Sequence, residues 1–233
     1  MNWQKSFAEF WRIFAEQNGY LVFLRGLGIT MLIATLGLLI GIVVGTVIAA
    51  IKVLPRYKKI TRFFQKICDF YVAAFRGTPL VVQLLLAYYV VPGVLGVSWP
   101  AENVCVVIFG LNSGAYVSEI MRSGILSDDP GQMEAGRALG LSYPVTMLKI
   151  VIPQAIKNII PTLGNEYISL VKETSIVSFV TATDICKSFR EIGDATYEYV
   201  IPYLFMAIVY VIIVLVLTLL VKLVEARLRR SEK

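Results

Sequence analysis

Three stretches of this chain run without a charged side chain: Leu27 to Ile51, Gly77 to Ala101 and Tyr199 to Val221. Each exceeds the about 20 residues that a helix needs to cross roughly 30 Å of hydrocarbon. Two more share the apolar character with polar interruptions. Asn103 to about Met121 is bounded by Glu102 and broken by Glu119, and Asn158 to about Thr183 carries Glu166, Lys172 and Glu173. The pattern predicts five membrane-spanning helices, over about 22–51, 63–91, 102–122, 155–182 and 199–224. The first run is read as a span rather than a cleaved leader, because its uncharged length is far beyond an h-region of about 7–15 residues.

Ahead of that run, Trp3, Phe7, Phe10, Trp11 and Phe14 recur every three or four residues, opposite Lys5, Glu9, Arg12 and Glu16. This spacing puts an aromatic stripe on one face of a helix within 1–20. Such a helix either lies in the outer membrane interface or packs against the outer ends of the spans, and the sequence leaves both open. The first span carries Gly37, Gly41 and Gly45 at i, i+4, i+8. A strip of small residues lets another helix backbone approach closely, so it predicts helix packing, with a gating role as the alternative.

Composition agrees with the pattern. Of 233 residues, 57% are hydrophobic and 16% charged, and the mean hydropathy of +0.72 excludes a water-soluble domain. Charge placement then sets the orientation, since cytoplasmic flanks retain Lys and Arg. The first span is followed by Lys52, Arg56, Lys58, Lys59 and Arg62 with no acid among them, and the last by Lys222, Arg227, Arg229, Arg230 and Lys233. Five spans satisfy both flanks, with the N-terminus outside, the connection 123–153 and the basic tail 227–233 in the cytoplasm, and a mixed-charge connection near 183–198 outside. The net charge of +6 is therefore topology, and no nucleic-acid partner is read from it.

Several chemistries drop out. Cys68, Cys105 and Cys186 are scattered without a CxxC pair and there is no histidine, so no metal site is expected. No GxxxxGK[ST] occurs, so the chain is expected to carry no ATPase site and to be non-catalytic. Arg76 precedes Gly77-Thr78-Pro79 in the second span, with Asp69 seven residues earlier on the same face. A charge at membrane depth needs a partner, and Glu119 of the third span is the expected one, in a structural ion pair with Arg76.

The connection 123–153 is the most informative polar segment. Asp129 suits a helix N-cap, Pro130 the first helical position and Gly140 the position past the C-terminus, which predicts a helix of about nine residues. Ser142 with Pro144 starts another. Ala135, Gly136 and Ala138 leave the first helix backbone accessible, and Glu134 and Arg137 offer charge. So short a helix is not stable alone in water, so it is expected to be pressed into a partner's cleft.

These residues carry a resemblance. Glu134-Ala135-Gly136, Gly140, Ile150 and Ile152-Pro153 resemble the EAA coupling loop of permease subunits in bacterial ABC importers, with Gly136 in place of alanine and Ile152 in place of leucine. Arg76-Gly77-Thr78-Pro79-Leu80 with Gln83, Leu111-Asn112-Ser113-Gly114-Ala115-Tyr116 with Glu119, Gly131-Gln132, Pro153-Gln154-Ala155, Pro161, Gly164-Asn165 and Lys172-Glu173-Thr174-Ser175 extend it to the polar amino acid branch, from about 22 to 226.

The resemblance implies an all-α membrane protein of type I ABC importer permease form, its permease domain at 21–226, with a short cytoplasmic coupling helix. It also implies a multi-pass place in the bacterial cell membrane. The implied partners are a second permease copy or close paralogue, two ABC ATPase subunits that carry ATP and Mg, and an extracytoplasmic amino-acid-binding protein. No cofactor is expected on this chain itself. Glu134, Ala135, Gly136, Arg137 and Gly140 would engage the ATPase.

A substrate pathway needs polar groups at membrane depth. Asn112, Tyr116 and Glu119 follow i, i+4, i+7 on the third span, and Glu166, Ser169 and Glu173 follow i, i+3, i+7 on the fourth. Lys172 lies beside them, Thr174 and Ser175 add hydroxyls, and Ser113 adjoins Asn112 in the quoted motif. These groups suit the ammonium and carboxylate of a zwitterionic amino acid, and two acids against one lysine favour a cationic or neutral polar one, in the arginine, lysine, histidine, glutamine or cystine class. The same clustering also fits a polar network that only locks helices. An ion-gradient secondary transporter is the first alternative, disfavoured by the absence of an internal repeat. A non-transporting membrane scaffold or sensor subunit is the second, and it would not need the polar stripes.

Overall fold

The structure, a computed structural model, describes residues 3–54, 58–127 and 130–230. Its regular elements are all helical: α1 (Trp3–Trp11), α2 (Gly19–Val53), α3 (Lys59–Gly77), α4 (Leu80–Leu85), α5 (Val91–Leu95), α6 (Ala101–Leu126), α7 (Pro130–Ala138), α8 (Tyr143–Thr146), α9 (Ile152–Glu173), α10 (Ile185–Thr196) and α11 (Val200–Arg230). Wide turns at Arg12–Glu16, Leu86–Val90 and Met147–Val151 follow α1, α4 and α8, and a tight helical turn, Thr174–Val180, follows α9. The N-cap expected at Asp129 lies outside the described residues, as do Arg56 and Lys233 of the basic flanks.

Among the described residues α2, α6 and α11 are long and apolar enough to cross a membrane, and α3 passes only when joined to the segment Leu80–Leu95. The segment expected as one span over 63–91 is broken at Thr78 and Pro79, which are extended at ψ 143° and 137°. Proline disfavours helical geometry in the residue before it. Thr78 Oγ1 donates instead to the Ala74 carbonyl at 2.8 Å and closes the end of α3. In α9, four charged residues, Lys157, Glu166, Lys172 and Glu173, dilute the apolar pattern.

The chain divides into two compact units. The first comprises Met1–Gly37, Pro79–Phe109 and Ile168–Leu217. Its core is Phe10, Ile185, Phe189, Ile192 and Ile201, flanked by Phe14, Phe23 and Phe205. The aromatic stripe of α1 splits accordingly: Phe10 is buried and stacks on Phe205 at 4.5 Å between centroids, while Trp3, Phe7 and Trp11 stay about half exposed.

The mixed-charge connection near 183–198 holds a helix, α10, that its net polarity concealed. Buried Asp184 caps it, accepting from the Cys186 and Lys187 amides at 3.1 and 2.8 Å. Burial pushes the Asp184 carboxyl up, opposed by those two amides. Ser188 Oγ donates to the Val22 carbonyl at 3.1 Å, and a Cβ on Gly26 would stand 2.5 Å from the Asp184 carbonyl oxygen. Only glycine at 26 lets α10 lie this close to α2.

The second unit comprises Leu38–Thr78, Gly110–Tyr167 and Thr218–Lys233. Here Gly41 and Gly45 of the glycine strip pack as expected, while Gly37 falls in the first unit. A Cβ on Gly41 would meet Ser113 Oγ at 2.7 Å, and one on Gly45 would meet the Ser118 amide nitrogen at 2.8 Å. Gly110 and Gly114 of α6 receive Ile40 and Val44 in return. Close backbone approach of this kind replaces the hydrophobic drive that lipid does not supply. Gln65 of α3, 3% exposed, donates to the carbonyls of Ile51 and Leu54 at 3.1 and 2.9 Å. It thereby adds donors to carbonyls at and just past the C-terminal turn of α2, where the helical ladder runs out.

Candidate functional site

The connection between α6 and α9 forms the expected nine-residue helix, α7, Pro130–Ala138. Gly140 has φ +81°, a conformation that side chains other than glycine resist. Its amide donates to the Arg137 carbonyl at 3.0 Å and the Leu141 amide to the Gly136 carbonyl at 3.1 Å. These two bonds form a Schellman cap, and Arg137 Nη1 adds a third to the Leu141 carbonyl at 2.9 Å.

The helix is two-faced. Gly136 is buried against Thr146 of α8, whereas Glu134, Ala135, Arg137, Ala138 and Leu139 are exposed, Leu139 to 82%. Gln154 of α9 reaches Gln132 at 3.5 Å and tethers the other end. The result is a capped short helix that presents one exposed face of charged and small residues.

On α6, Asn112 and Ser113 are buried. Asn112 Nδ2 donates to the Phe75 carbonyl at 3.4 Å, and Ser113 Oγ donates to Glu166 Oε1 at 3.0 Å. Tyr71 donates its hydroxyl to the Leu111 carbonyl beside them. The structure thus joins the two polar stripes at Ser113 and Glu166.

Of the residues expected along a substrate pathway, Ser169, Lys172, Glu173, Thr174 and Ser175 belong to the first unit. Lys172 and Glu173 end α9 and are exposed, Ser169 and Ser175 are half-buried, and Thr174 is buried with its hydroxyl donating to the Val171 carbonyl at 2.7 Å.

The expected pair of Arg76 with Glu119 is not formed. Glu119 takes Lys52 at 2.7 Å on Oε1 and Arg122 at 3.0 Å on Oε2, and Lys52 also holds Asp69 at 3.1 Å. Arg76 instead lies over the ring of Tyr116, 5.1 Å from its centroid, a cation–π contact. The physical reason is reach: the last turn of α2 brings Lys52 onto Glu119, while Arg76 meets α6 one turn earlier, at Tyr116. Lys52, Asp69, Glu119 and Arg122 line a cavity of about 410 Å³. Sequence reading counted Lys52 only as a flanking cation. Its place in the last turn of α2, directly after an uncharged run from Leu27 to Ile51, is the available signal, because such a lysine is only partly solvated and seeks an acid.

The described residues thus hold three helices long and apolar enough to cross a membrane and a capped short helix, α7, after the second of them. Comparison with known proteins places the protein. The chain belongs to the family of binding-protein-dependent transport system inner membrane components, whose pattern matches residues 37–230.

It is 41% identical over 90% of its length to the arginine transport system permease protein ArtQ of Bacillus subtilis (strain 168), covering 93% of that protein. The putative glutamine transport system permease protein GlnP of Rickettsia bellii (strain RML369-C) is 37% identical over 89% of this chain and 93% of its own. A solved amino acid ABC transporter, crystallised with histidines, superposes with a TM-score of 0.85 at 37% identity, over 92% of this chain and 98% of that one. The resemblance carried by the EAA segment and its companion motifs is borne out.

Proposed function

We propose that this chain is the membrane-spanning permease subunit of an ATP-driven importer of polar amino acids in the bacterial cell membrane. Two copies, or one with a close paralogue, form the pore. It spans the bilayer five times with the N-terminus outside and the C-terminus in the cytoplasm, α3 with α4 forming the broken second span. The observation that carries the reading is α7, a capped short helix whose Glu134, Ala135, Arg137 and Ala138 are exposed, in a member of a binding-protein-dependent transport family.

In this reading two ATPase subunits, which hold ATP and Mg, receive the exposed Glu134, Ala135, Arg137 and Gly140, while the expected contact Gly136, buried against Thr146, seats α7 on α8 instead. The cap at Gly140 keeps α7 stiff enough to transmit their closure as a rigid-body motion of the bundle. An extracytoplasmic binding protein delivers the amino acid. Asn112, Ser113, Tyr116, Glu119, Glu166, Ser169, Lys172, Glu173, Thr174 and Ser175 form the pathway lining. Two relatives named for arginine and glutamine transport support a cationic or neutral polar cargo.

The test is copurification with the cognate ATPase, followed by hydrolysis and uptake measurements on Glu134→Arg and Gly140→Pro. Proline cannot adopt φ +81°, so Gly140→Pro should uncap α7 and separate hydrolysis from uptake. Normal assembly and normal transport in both variants would remove α7 from the coupling role.

A further inference from the structure

The first half of α3 has a surface that neither transport nor coupling uses. Ile60, Phe63, Phe64, Ile67 and Phe70 are all exposed, between 48% and 76%. At 3.6 residues per turn they fill one arc of roughly 120°. Beside it Lys59, Arg62 and Lys66, at i, i+3, i+7, form a second exposed arc, with Lys58 just ahead. No acid occurs between Lys58 and Cys68, and none of the four cations forms an ion pair among the described residues. The nearest acid, Asp69, is held by Lys52 at 3.1 Å.

The third face is anchored: Gln65, Cys68 and Val72 are buried, and Gln65 is bonded to the end of α2. The two exposed arcs are therefore held in a fixed presentation.

We propose that this face of α3 is a docking surface for anionic phospholipid, the apolar arc entering the acyl region and the cationic arc binding headgroup phosphates. At the basic, cytoplasmic end of the broken second span an exposed apolar arc meets acyl chains while the adjoining cations reach headgroup level, and clustered Lys and Arg at an interface select anionic lipid. The competing occupant, a second copy meeting this face across a two-fold axis, would bring two basic arcs together, because such a contact uses the same patch twice. Charge complementarity favours the bilayer.

The test measures lipid, not transport, so it stands apart from the importer reading. The full chain is reconstituted in vesicles of phosphatidylethanolamine and phosphatidylglycerol at about 7:3, re-extracted in mild detergent, and its retained lipid quantified. Phosphatidylglycerol is expected to be enriched several-fold over the bulk ratio. In Lys59→Gln/Arg62→Gln/Lys66→Gln the several-fold enrichment should fall to the bulk ratio. Lys222→Gln/Arg227→Gln, which alters the other basic flank, should keep it.

Wild-type chain extracted at 0.5 M salt should lose the enrichment as well, because salt shortens the reach of surface charge, and this arm serves where the triple variant fails to assemble. Absence of enrichment in the wild type, equal loss in both variants, or salt-insensitive retention overturns the proposal. So does efficient cross-linking of Lys66→Cys to a second copy in native membranes.

Discussion

Restoring the alanine of the EAA pattern should loosen this protein, because its glycine is matched to a particular neighbour. A Cβ on Gly136 would collide with Thr146 Cγ2 and stand 3.0 Å from Thr146 Oγ1. Thr146 has no exposed surface and its hydroxyl donates to the Ser142 carbonyl at 3.1 Å, so it cannot turn away without breaking that bond. Gly136→Ala gains about 1 kcal/mol of helix propensity but overpacks a closed site, at about 1 to 3 kcal/mol. The net expectation is a loss of roughly 0 to 2 kcal/mol.

Thr146→Ala alone removes a methyl group and a hydrogen bond, about 2 kcal/mol together. Combined, the new methyl fills the space that Cγ2 leaves, a volume-conserving exchange, so the double variant should be more stable than the sum by about 1 to 3 kcal/mol. Amide hydrogen exchange over 130–146 in the purified chain measures the local opening energies of the four proteins. Additive effects, within about 0.3 kcal/mol, would refute the packing argument. So would a Gly136→Ala variant more protected than the parent by the full propensity gain.

Three further outcomes follow from the contacts. Lys52→Met should lower thermal stability by about 1.5 to 3 kcal/mol, since it deprives both Glu119 and Asp69 of their shared partner. A double-mutant cycle between Lys52 and Glu119 should show coupling of that order, whereas one between Arg76 and Glu119 should show almost none; the reverse ranking would contradict the charge network. Asp184→Ala should cost about 1 to 2 kcal/mol by leaving two amides of α10 uncapped, with Asp184→Asn retaining most of it, as read by thermal unfolding in detergent. Glu173→Gln should reduce import in proteoliposomes while assembly stays intact, and unchanged uptake kinetics would take it off the pathway.

What could be read before the structure followed the distance over which each feature is decided. The helix Pro130–Ala138 and its glycine stop are set by residues within one turn, and the strip Gly41 and Gly45 announces its use by spacing alone. Lys52 and Glu119 are 67 residues apart, and no local pattern chooses between Lys52 and Arg76 as the partner. Gln65 met its three carbonyls across a connection, so it carried no signal in sequence.

Residues 183–198 were read only as a connection because their mean polarity is high. The helix within them buries Ile185, Phe189 and Ile192 on one side and shows its charges on the other. The stripe of α1 left two readings open, and the fold uses its residues both ways, Phe10 inward and Trp3, Phe7 and Trp11 outward.

The central claim is that ATP hydrolysis on partner subunits moves a polar amino acid through this chain. Its most direct test is uptake of radiolabelled arginine and glutamine into proteoliposomes that hold the chain with its ATPase, with binding protein outside and ATP inside. The account predicts uptake that requires ATP and binding protein, persists when ionophores collapse every ion gradient, and is lost in Gly140→Pro. Uptake without ATP that follows an imposed ion gradient, or ATP hydrolysis with no transport of any amino acid tested, would contradict it.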